Sequence, residues 1–208
     1  MVSGRTRVDA GSSALSGLIF DLNGTLIERR SQSPYIRELV RRFCSLRLGH
    51  EVPPFEPRDG APMSTRTYLQ RTLLSGDGDP MSEFMDWEAR HFDPTQLKPA
   101  PGAVDVLDRL RRSHRLALVT NNVRPYADAI LDARGWTSVF AYVGTLEIAK
   151  KPDPEAFLAA FRALGLEPRQ CCAIGDKQAY DVDPVLALNG TGHVVPWGGL
   201  RQLAETLL

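Results

Sequence analysis

The segment LIFDLNGTL, residues 18–26, contains the first group that could do chemistry. An apolar run of the kind that forms a buried strand ends at Asp21, and Gly24 with Thr25 then favours a turn. A carboxylate at the end of a strand is well placed to act as a nucleophile or a metal ligand. Two residues later stands Asn23, where a second carboxylate would have supplied a proton donor and acceptor. The segment therefore predicts a reactive carboxylate and leaves open which group moves protons beside it.

Three further segments place polar groups directly after predicted strands: Thr120-Asn121, Lys150-Lys151, and Asp176 with Asp181. In doubly wound α/β sheets, ligands bind outside the carboxyl ends of the strands. Together with Asp21, these residues would bring three carboxylates, a hydroxyl and an ammonium group to one crevice. Carboxylate oxygens are ligands for magnesium, whereas hydroxyl and ammonium groups donate to phosphate oxygens. The set therefore predicts a magnesium-dependent phosphoryl-transfer site.

Other cations near these segments carry weaker expectations. We expect Lys150 to be solvated and Lys177 either to pair with Asp181 or Asp183 or to add positive charge near a bound phosphate. Arg29 and Arg30 follow the first segment and could reach a substrate anion, although Arg is common in this chain and simple exposure is the first expectation.

The elements that must position these groups follow from the apolar patterns. Short apolar runs alternate with helical patterns, which favours an α/β fold: a Rossmann-like, doubly wound, mainly parallel sheet. Helical faces are predicted from Val104, Leu107 and Leu110, from Tyr126, Ile130 and Leu131, and from Phe157, Leu158, Phe161 and Leu164, with two last helices over 183–188 and 200–207. Strands are predicted over 17–21, 115–120, 140–143, 171–175 and 192–195.

One long segment breaks the alternation of strands and helices. Residues 28–98 read as helical throughout, with a first helix expected to begin at Ser33-Pro34. We predict that they form a small α-helical cap inserted after the first strand and lying over its end. Residues 15–27 and 99–208 would then form the core, and residues 1–14 a flexible N-terminal tail.

The composition excludes several classes of partner. Twenty-five basic and 25 acidic residues give no net charge, so no general attraction to nucleic acid or to an anionic membrane is expected. The three cysteines, Cys44, Cys171 and Cys172, lack metal-ligand spacing and are interpreted as reduced packing residues. No segment reads as a signal peptide or a membrane span, so a cytoplasmic location is expected.

Four motifs in order resemble those of the haloacid dehalogenase superfamily. DLNGTL is similar to its DxDGT signature, VTNN to its Ser/Thr motif, KKPDPEAF to its Lys-Pro motif, and IGDKQAYDV to its GDxxxxD motif. The helical insertion lies where the phosphoglycolate-phosphatase-like branch carries its cap. This resemblance spans essentially the whole chain after residue 14.

The resemblance implies a nucleophile and a magnesium site. Asp21 would attack phosphorus to form an aspartyl-phosphate, and it would also contact the metal. Asn23 would lend its backbone carbonyl to the magnesium ion, and Asp176 would bind it directly. Asp181 would hold either a metal-bound water or Lys151 in place.

The resemblance also implies a binding site for the transferred group. Thr120 would bind phosphoryl oxygens through its hydroxyl and Asn121 through its backbone amide. Lys151 would pair with both the Asp21 carboxylate and the phosphate, which neutralises charge as the two anions approach. Thr120, Asn121 and Lys151 are therefore the expected substrate-binding residues.

Asn23 departs from the motif, since phosphatases of the superfamily carry there an Asp that protonates the leaving oxygen and then activates water. Three readings remain: a phosphatase that uses good leaving groups or another proton carrier, a branch with other chemistry, or a protein that binds a phosphate ester. Dehalogenation does not need the intact carboxylate set. Phosphonatase chemistry needs a cap lysine, and residues 28–96 contain none.

The first reading fits the residues best. It predicts a magnesium-dependent phosphomonoester hydrolase that acts slowly on a small phosphorylated metabolite. An impaired relative that binds a phosphorylated ligand or partner is the alternative.

Overall fold

The computed structural model describes residues 15–54, 64–73 and 79–207. The predicted N-terminal tail, residues 1–14, lies outside them. Five parallel strands form one sheet in the order β3-β2-β1-β4-β5. The strands are β1 Gly17–Phe20, β2 Arg115–Val119, β3 Tyr142–Gly144, β4 Cys171–Gly175 and β5 Thr191–Val194. The predicted α/β fold with a doubly wound parallel sheet is confirmed.

Alternate residues of the central strands face opposite sides of the sheet. In β1, Leu18 and Phe20 pack into the larger apolar core, whereas Ile19 packs into the smaller core on the other face. The adjacent Cys171 and Cys172 divide between the two cores in the same way. Because both faces are covered, the central strands are apolar at nearly every position.

Eight helices lie within the described residues. Helices α6 and α7 cover the face of the smaller core, and the others contribute to the larger core or its margin. The bounds are α1 Pro34–Leu48, α2 Thr65–Thr72, α3 Pro80–His91, α4 Ala103–Leu110, α5 Arg124–Ala133, α6 Glu155–Leu164, α7 Asp183–Ala187 and α8 Leu200–Leu207.

Helix α1 begins where the sequence predicts, because Ser33 acts as its N-cap and Pro34 occupies its first turn. Helix α4 differs from the prediction in its buried face. Val104 is 50% exposed, while Val106, Leu107 and Leu110 are buried. The spacing of Val104 also fits a helical face with Leu107 and Leu110, because several faces of a short apolar helix satisfy the same spacing.

The segment between β1 and α4 has its two ends side by side, joined by backbone hydrogen bonds. Glu28 N donates to Lys98 O at 2.9 Å, and Ala100 N donates to Leu26 O at 2.8 Å. The described residues between these connections form helices α1 to α3 and one 3₁₀ turn, Pro94–Gln96. These helices pack through aromatic contacts, with the Phe43 ring 5.5 Å from that of Phe84.

No helix in the described part of the chain combines the length and the apolar character needed to cross a membrane.

Candidate active site

All seven residues that the sequence predicts for the site line one cavity of about 690 Å³: Asp21, Asn23, Thr120, Asn121, Lys151, Asp176 and Asp181. The cavity lies at the carboxyl edge of the sheet. Asp21, Thr120 and Asp176 directly follow β1, β2 and β4, which are neighbouring parallel strands. The parallel direction of the strands therefore brings together residues that are far apart in the chain.

Lys151 lies between two carboxylates at the floor of this cavity. Its Nζ donates to Asp21 Oδ1 and to Asp181 Oδ1, both at 2.6 Å. All three side chains are at least nine-tenths buried. Of the two roles expected for Asp181, the structure places it against Lys151. A buried ammonium held in this way can neutralise an anion that approaches Asp21.

The two ionised groups shift each other's pKa. Burial raises the pKa of Asp21, Lys151 opposes that rise, and the nearby charge of Asp181 adds to it. Burial alone would lower the pKa of Lys151, but the two carboxylates outweigh burial and raise it. Lys151 therefore stays charged. The excess of negative charge around Asp21 favours binding of a cation.

A short irregular turn places Asp181 in this cluster. The π-helical turn Gln178–Val182 follows β4, and Lys177 N donates to Asp181 Oδ2 at 2.9 Å. A Cβ at Gly175 would collide with the Asp181 side chain, so glycine is required where the turn folds back over the strand.

Three carboxylates could hold a metal ion at the same place. One oxygen each from Asp21, Asp176 and Asp181 lies within 4.8 Å of the others. Gly24 has a positive φ of +99°, which glycine adopts easily. A Cβ at this position would also collide with the Asp176 carboxylate, so glycine is needed for the backbone to lie this close to it. Such an oxygen-only donor set fits magnesium.

A cation of the chain itself contacts one of these carboxylates. Arg29 Nε donates to Asp176 Oδ2 at 2.5 Å, although the Arg29 side chain is 41% exposed. The sequence predicts simple exposure for Arg29; the side chain is partly exposed, but it also forms an ion pair with Asp176. Only the fold brings residues 29 and 176 together, so the sequence carries no signal for the pair.

The loop after β2 contributes side-chain contacts that the sequence analysis did not predict. Asn121 brackets the backbone of Lys151, since its Nδ2 donates to Lys151 O at 3.0 Å and Lys151 N donates to its Oδ1 at 2.7 Å. The predicted role of the Asn121 backbone amide stays a prediction. The neighbouring Asn122 donates to Thr120 Oγ1 from its side chain at 2.6 Å and its backbone N at 3.3 Å. Because Thr120 Oγ1 accepts both of these hydrogen bonds, its hydroxyl proton can be donated to another group in the cavity.

Asn23 lies between Asn122 and Tyr126 of helix α5. Its Oδ1 accepts a hydrogen bond from Asn122 Nδ2. Its Nδ2 and the Tyr126 hydroxyl are both buried and lie next to each other, and the phenol oxygen can accept a hydrogen bond from the amide. Burial raises the pKa of the Tyr126 phenol, while the nearby Arg30 and Asn23 act in the opposite direction.

Arg30 connects this pocket to the helical segment. Its Nη2 donates to both carboxylate oxygens of Glu88 on α3 at 2.7 Å, and its guanidinium carbon lies 4.6 Å from the centre of the Tyr126 ring. The sequence predicts exposure for Arg30, and this prediction is wrong because Glu88 and Tyr126 enclose the side chain.

The remaining lysines of these segments have different surroundings. Lys150 is exposed, as predicted. Lys177 lies 5.8 Å from the centre of the Tyr180 ring, and within the described ranges its ammonium forms no ion pair with Asp181 or Asp183. The predicted pairing of Lys177 is therefore wrong, and its side chain lies at the cavity wall.

Comparisons with known proteins agree on one family. A family model described as haloacid dehalogenase-like hydrolase matches residues 15–187. A phosphoglycolate phosphatase of Psychrobacter arcticus is 29% identical over 175 residues, which cover 77% of this chain and 74% of the relative. Hexitol phosphatase A of Escherichia coli is 26% identical over 170 residues, which cover 78% of this chain and 75% of that protein.

A solved structure shows the same fold. The crystal structure of a hydrolase from Geobacter sulfurreducens, assigned to subfamily IA of the same superfamily, matches with a TM-score of 0.71 at 20% identity. The match covers 97% of this chain and 100% of that chain.

Proposed function

The chain belongs to the haloacid dehalogenase-like hydrolase family, and from this premise we propose that it is a magnesium-dependent phosphatase of small phosphorylated metabolites. The observation that carries the proposal is the buried contact of Lys151 with Asp21 beside Asp176 in one cavity. It joins a nucleophile, a phosphate-binding cation and a metal ligand. The two relatives, named as phosphatases, support the same activity.

In the proposed reaction an Asp21 oxygen attacks phosphorus, the bond between phosphorus and the ester oxygen breaks, and that oxygen takes a proton from water and leaves as the alcohol. Lys151 neutralises charge between Asp21 and the incoming phosphate, and the Thr120 hydroxyl donates to a phosphoryl oxygen. Water then attacks the aspartyl-phosphate, which releases phosphate and restores Asp21. Neither step receives a proton from Asn23, because an amide is neither an acid nor a base at neutral pH.

We propose that Asp21, Asp176 and the Asn23 backbone carbonyl hold the magnesium ion, with Asp181 beside them. When bound, magnesium would offset negative charge on the phosphate and on the carboxylates. Arg29 would have to give up its contact with Asp176 for the ion to bind there.

We further propose that residues 28–98 act as a cap over the site. The cavity supports this role, because Ser64, Thr65, Arg66 and Met81 line it together with Asp21. The adjacent connections at residues 26–28 and 98–100 would let this segment move as a unit. A closed cap would exclude bulk water from phosphoryl transfer.

The three cysteines, all unpaired and buried, support a reducing, cytoplasmic location.

The test of the proposed function is a phosphate-release screen with and without magnesium. The panel should include phosphoglycolate and hexitol phosphates, the substrates in the names of the two relatives, together with other phosphorylated metabolites. We expect slow, magnesium-dependent release from at least one of them. If none is hydrolysed but one raises the thermal midpoint, the protein binds a phosphate ester without turning it over.

Magnesium alone should raise the thermal midpoint of the protein, and Asp176→Ala should remove this shift. The variant deletes a metal-binding carboxylate but leaves Asp21 and Lys151 in contact. Differential scanning fluorimetry with and without magnesium measures the effect. The matched control is Asp183→Ala, because Asp183 is exposed and outside the carboxylate cluster. A magnesium shift that survives in Asp176→Ala would remove Asp176 from the metal site.

A further inference from the structure

We propose that Arg29 is a substrate-binding residue that exchanges partners: it pairs with Asp176 in the metal-free protein and turns to the phosphate of the ligand when magnesium binds. The inference rests on the proposed function, because that function supplies the metal site and the phosphorylated ligand. It adds a competition between one side chain and the metal, which can be measured with magnesium and inorganic phosphate alone.

The Arg29 guanidinium supplies the positive charge that Asp176 needs. Its Nε donates to Asp176 Oδ2 at 2.5 Å, and the Asp176 side chain is only 3% exposed. A buried carboxylate without a cation is costly, so this ion pair stabilises the protein while no metal is bound. Magnesium at the same carboxylate would repel the guanidinium at short range. Arg29 and magnesium are therefore competitors for Asp176.

The backbone around Gly24 makes room for this ion pair. A Cβ at Gly24 would collide with Cγ of Arg29 as well as with the Asp176 carboxylate. The backbone oxygen of Arg29 accepts from Gln32 N and Ser33 N, both at 2.9 Å, in the turn before α1. The turn fixes the backbone of Arg29, so an exchange of partners needs only rotations of its side chain.

The Arg29 guanidinium has donors left for a second partner. A guanidinium carries five N–H donors, and among the described residues the Arg29 side chain donates through Nε alone. The side chain is 41% exposed and lines the same cavity as Asp21 and Thr120. Its terminal nitrogens form the planar fork that binds phosphate oxygens in pairs. Released from Asp176, Arg29 has both the donors and the access to the cavity that phosphate binding requires.

The charges of the site favour this exchange. Asp21, Asp176 and Asp181 are three carboxylates, and Lys151 and Arg29 are the two cations paired with them. The metal-free cluster thus carries a net negative charge, which attracts a metal ion and repels phosphate. Magnesium would make the net charge positive and leave Arg29 without need of Asp176. Magnesium and phosphate should therefore bind cooperatively, each tightening the other by the same factor.

Titration calorimetry with magnesium alone tests the competition. Arg29→Gln and Arg29→Met both remove the positive charge, and each should tighten magnesium binding about two- to fivefold, the equivalent of a partly exposed ion pair. The matched control is Lys177→Gln, which removes one positive charge from the wall of the same cavity. Among the described side chains the Lys177 ammonium pairs with no carboxylate, so this control should have a smaller effect.

Inorganic phosphate tests the second position of Arg29. Its affinity should be measured for the native protein and Arg29→Gln, first with EDTA and then with saturating magnesium. With EDTA the difference should be small, because Asp176 holds Arg29. With magnesium, Arg29→Gln should bind phosphate about 10- to 100-fold more weakly than the native protein, the range for a hydrogen bond between charged groups.

Unchanged or weaker magnesium binding in both Arg29 variants would overturn the inference, since Arg29 would then not compete with the metal. An equal gain from Lys177→Gln would also overturn it, because the effect would come from the general charge of the cavity. Phosphate affinity in magnesium that does not depend on Arg29 would exclude the substrate-binding role. If no ester is hydrolysed while these binding results hold, the proposed phosphatase activity fails and the inference about Arg29 stands.

Discussion

Asp21→Asn should abolish phosphate release, with a loss on the order of 10⁶-fold, the scale observed when a covalent hydrolase loses its nucleophile. The variant keeps the size and hydrogen-bonding capacity of the side chain but removes the charge and nucleophilicity of the carboxylate. It also leaves Lys151 with Asp181 as its remaining anionic partner. Steady-state phosphate release should be measured in both the native and the Asn23→Asp backgrounds. The background with the higher activity allows a larger loss of activity to be measured.

The control for this prediction is Asp183→Asn, which makes the same chemical change at an exposed position. It should retain the activity of its background. Circular dichroism should show that both variants are folded. Comparable activity of Asp21→Asn and its background would exclude Asp21 as the nucleophile, and with it the aspartyl-phosphate mechanism.

Asn23→Asp should raise turnover by ~10²–10⁴-fold, the usual contribution of a general acid–base group. The substitution replaces one terminal group, leaves the backbone carbonyl of residue 23 in place, and provides a proton carrier at the cavity wall. The readout is kcat on an alkyl phosphate and on p-nitrophenyl phosphate. The gain should be large for the alkyl ester, whose leaving alkoxide needs a proton, and small for the nitrophenyl ester.

A uniform gain on both esters would indicate that the change improved binding or folding and did not supply a proton. No gain on either ester, in a folded protein that binds magnesium, would favour the alternative in which the protein binds a phosphorylated ligand. The Asn23 amide would then be a functional feature of a binding site.

Much of the fold is local in sequence, and for that reason the sequence predicts it. The apolar runs that become β1, β2 and β4 have the composition of strands buried on both faces, and Ser33-Pro34 marks the start of α1 through capping chemistry. The residues after each strand were identifiable because a parallel sheet places all carboxyl ends at one edge. These local patterns were sufficient to predict that Asp21, Thr120 and Asp176 lie together in one cavity.

Local patterns did not determine every bound or buried face. The third strand begins at Tyr142, two residues after its predicted start at Phe140. Helix α4 buries Val106 in the larger core and exposes Val104, because the elements packed against the helix select one of several apolar faces. Such choices depend on what packs against an element, and the element's own sequence does not contain that information.

The contacts that define the site were decided by the tertiary structure alone. Arg29 meets Asp176 across 147 positions of the chain, and Asn122 meets Asn23 across 99. Tyr126 reads in the sequence as an apolar position of α5, yet its hydroxyl faces Asn23 and its ring lies beneath Arg30. The sequence by itself determined which groups could do chemistry and which edge of the sheet they share. The strand order and the packing of α3 and α5 decided which groups touch, because contacts between distant residues depend on the whole arrangement of the chain.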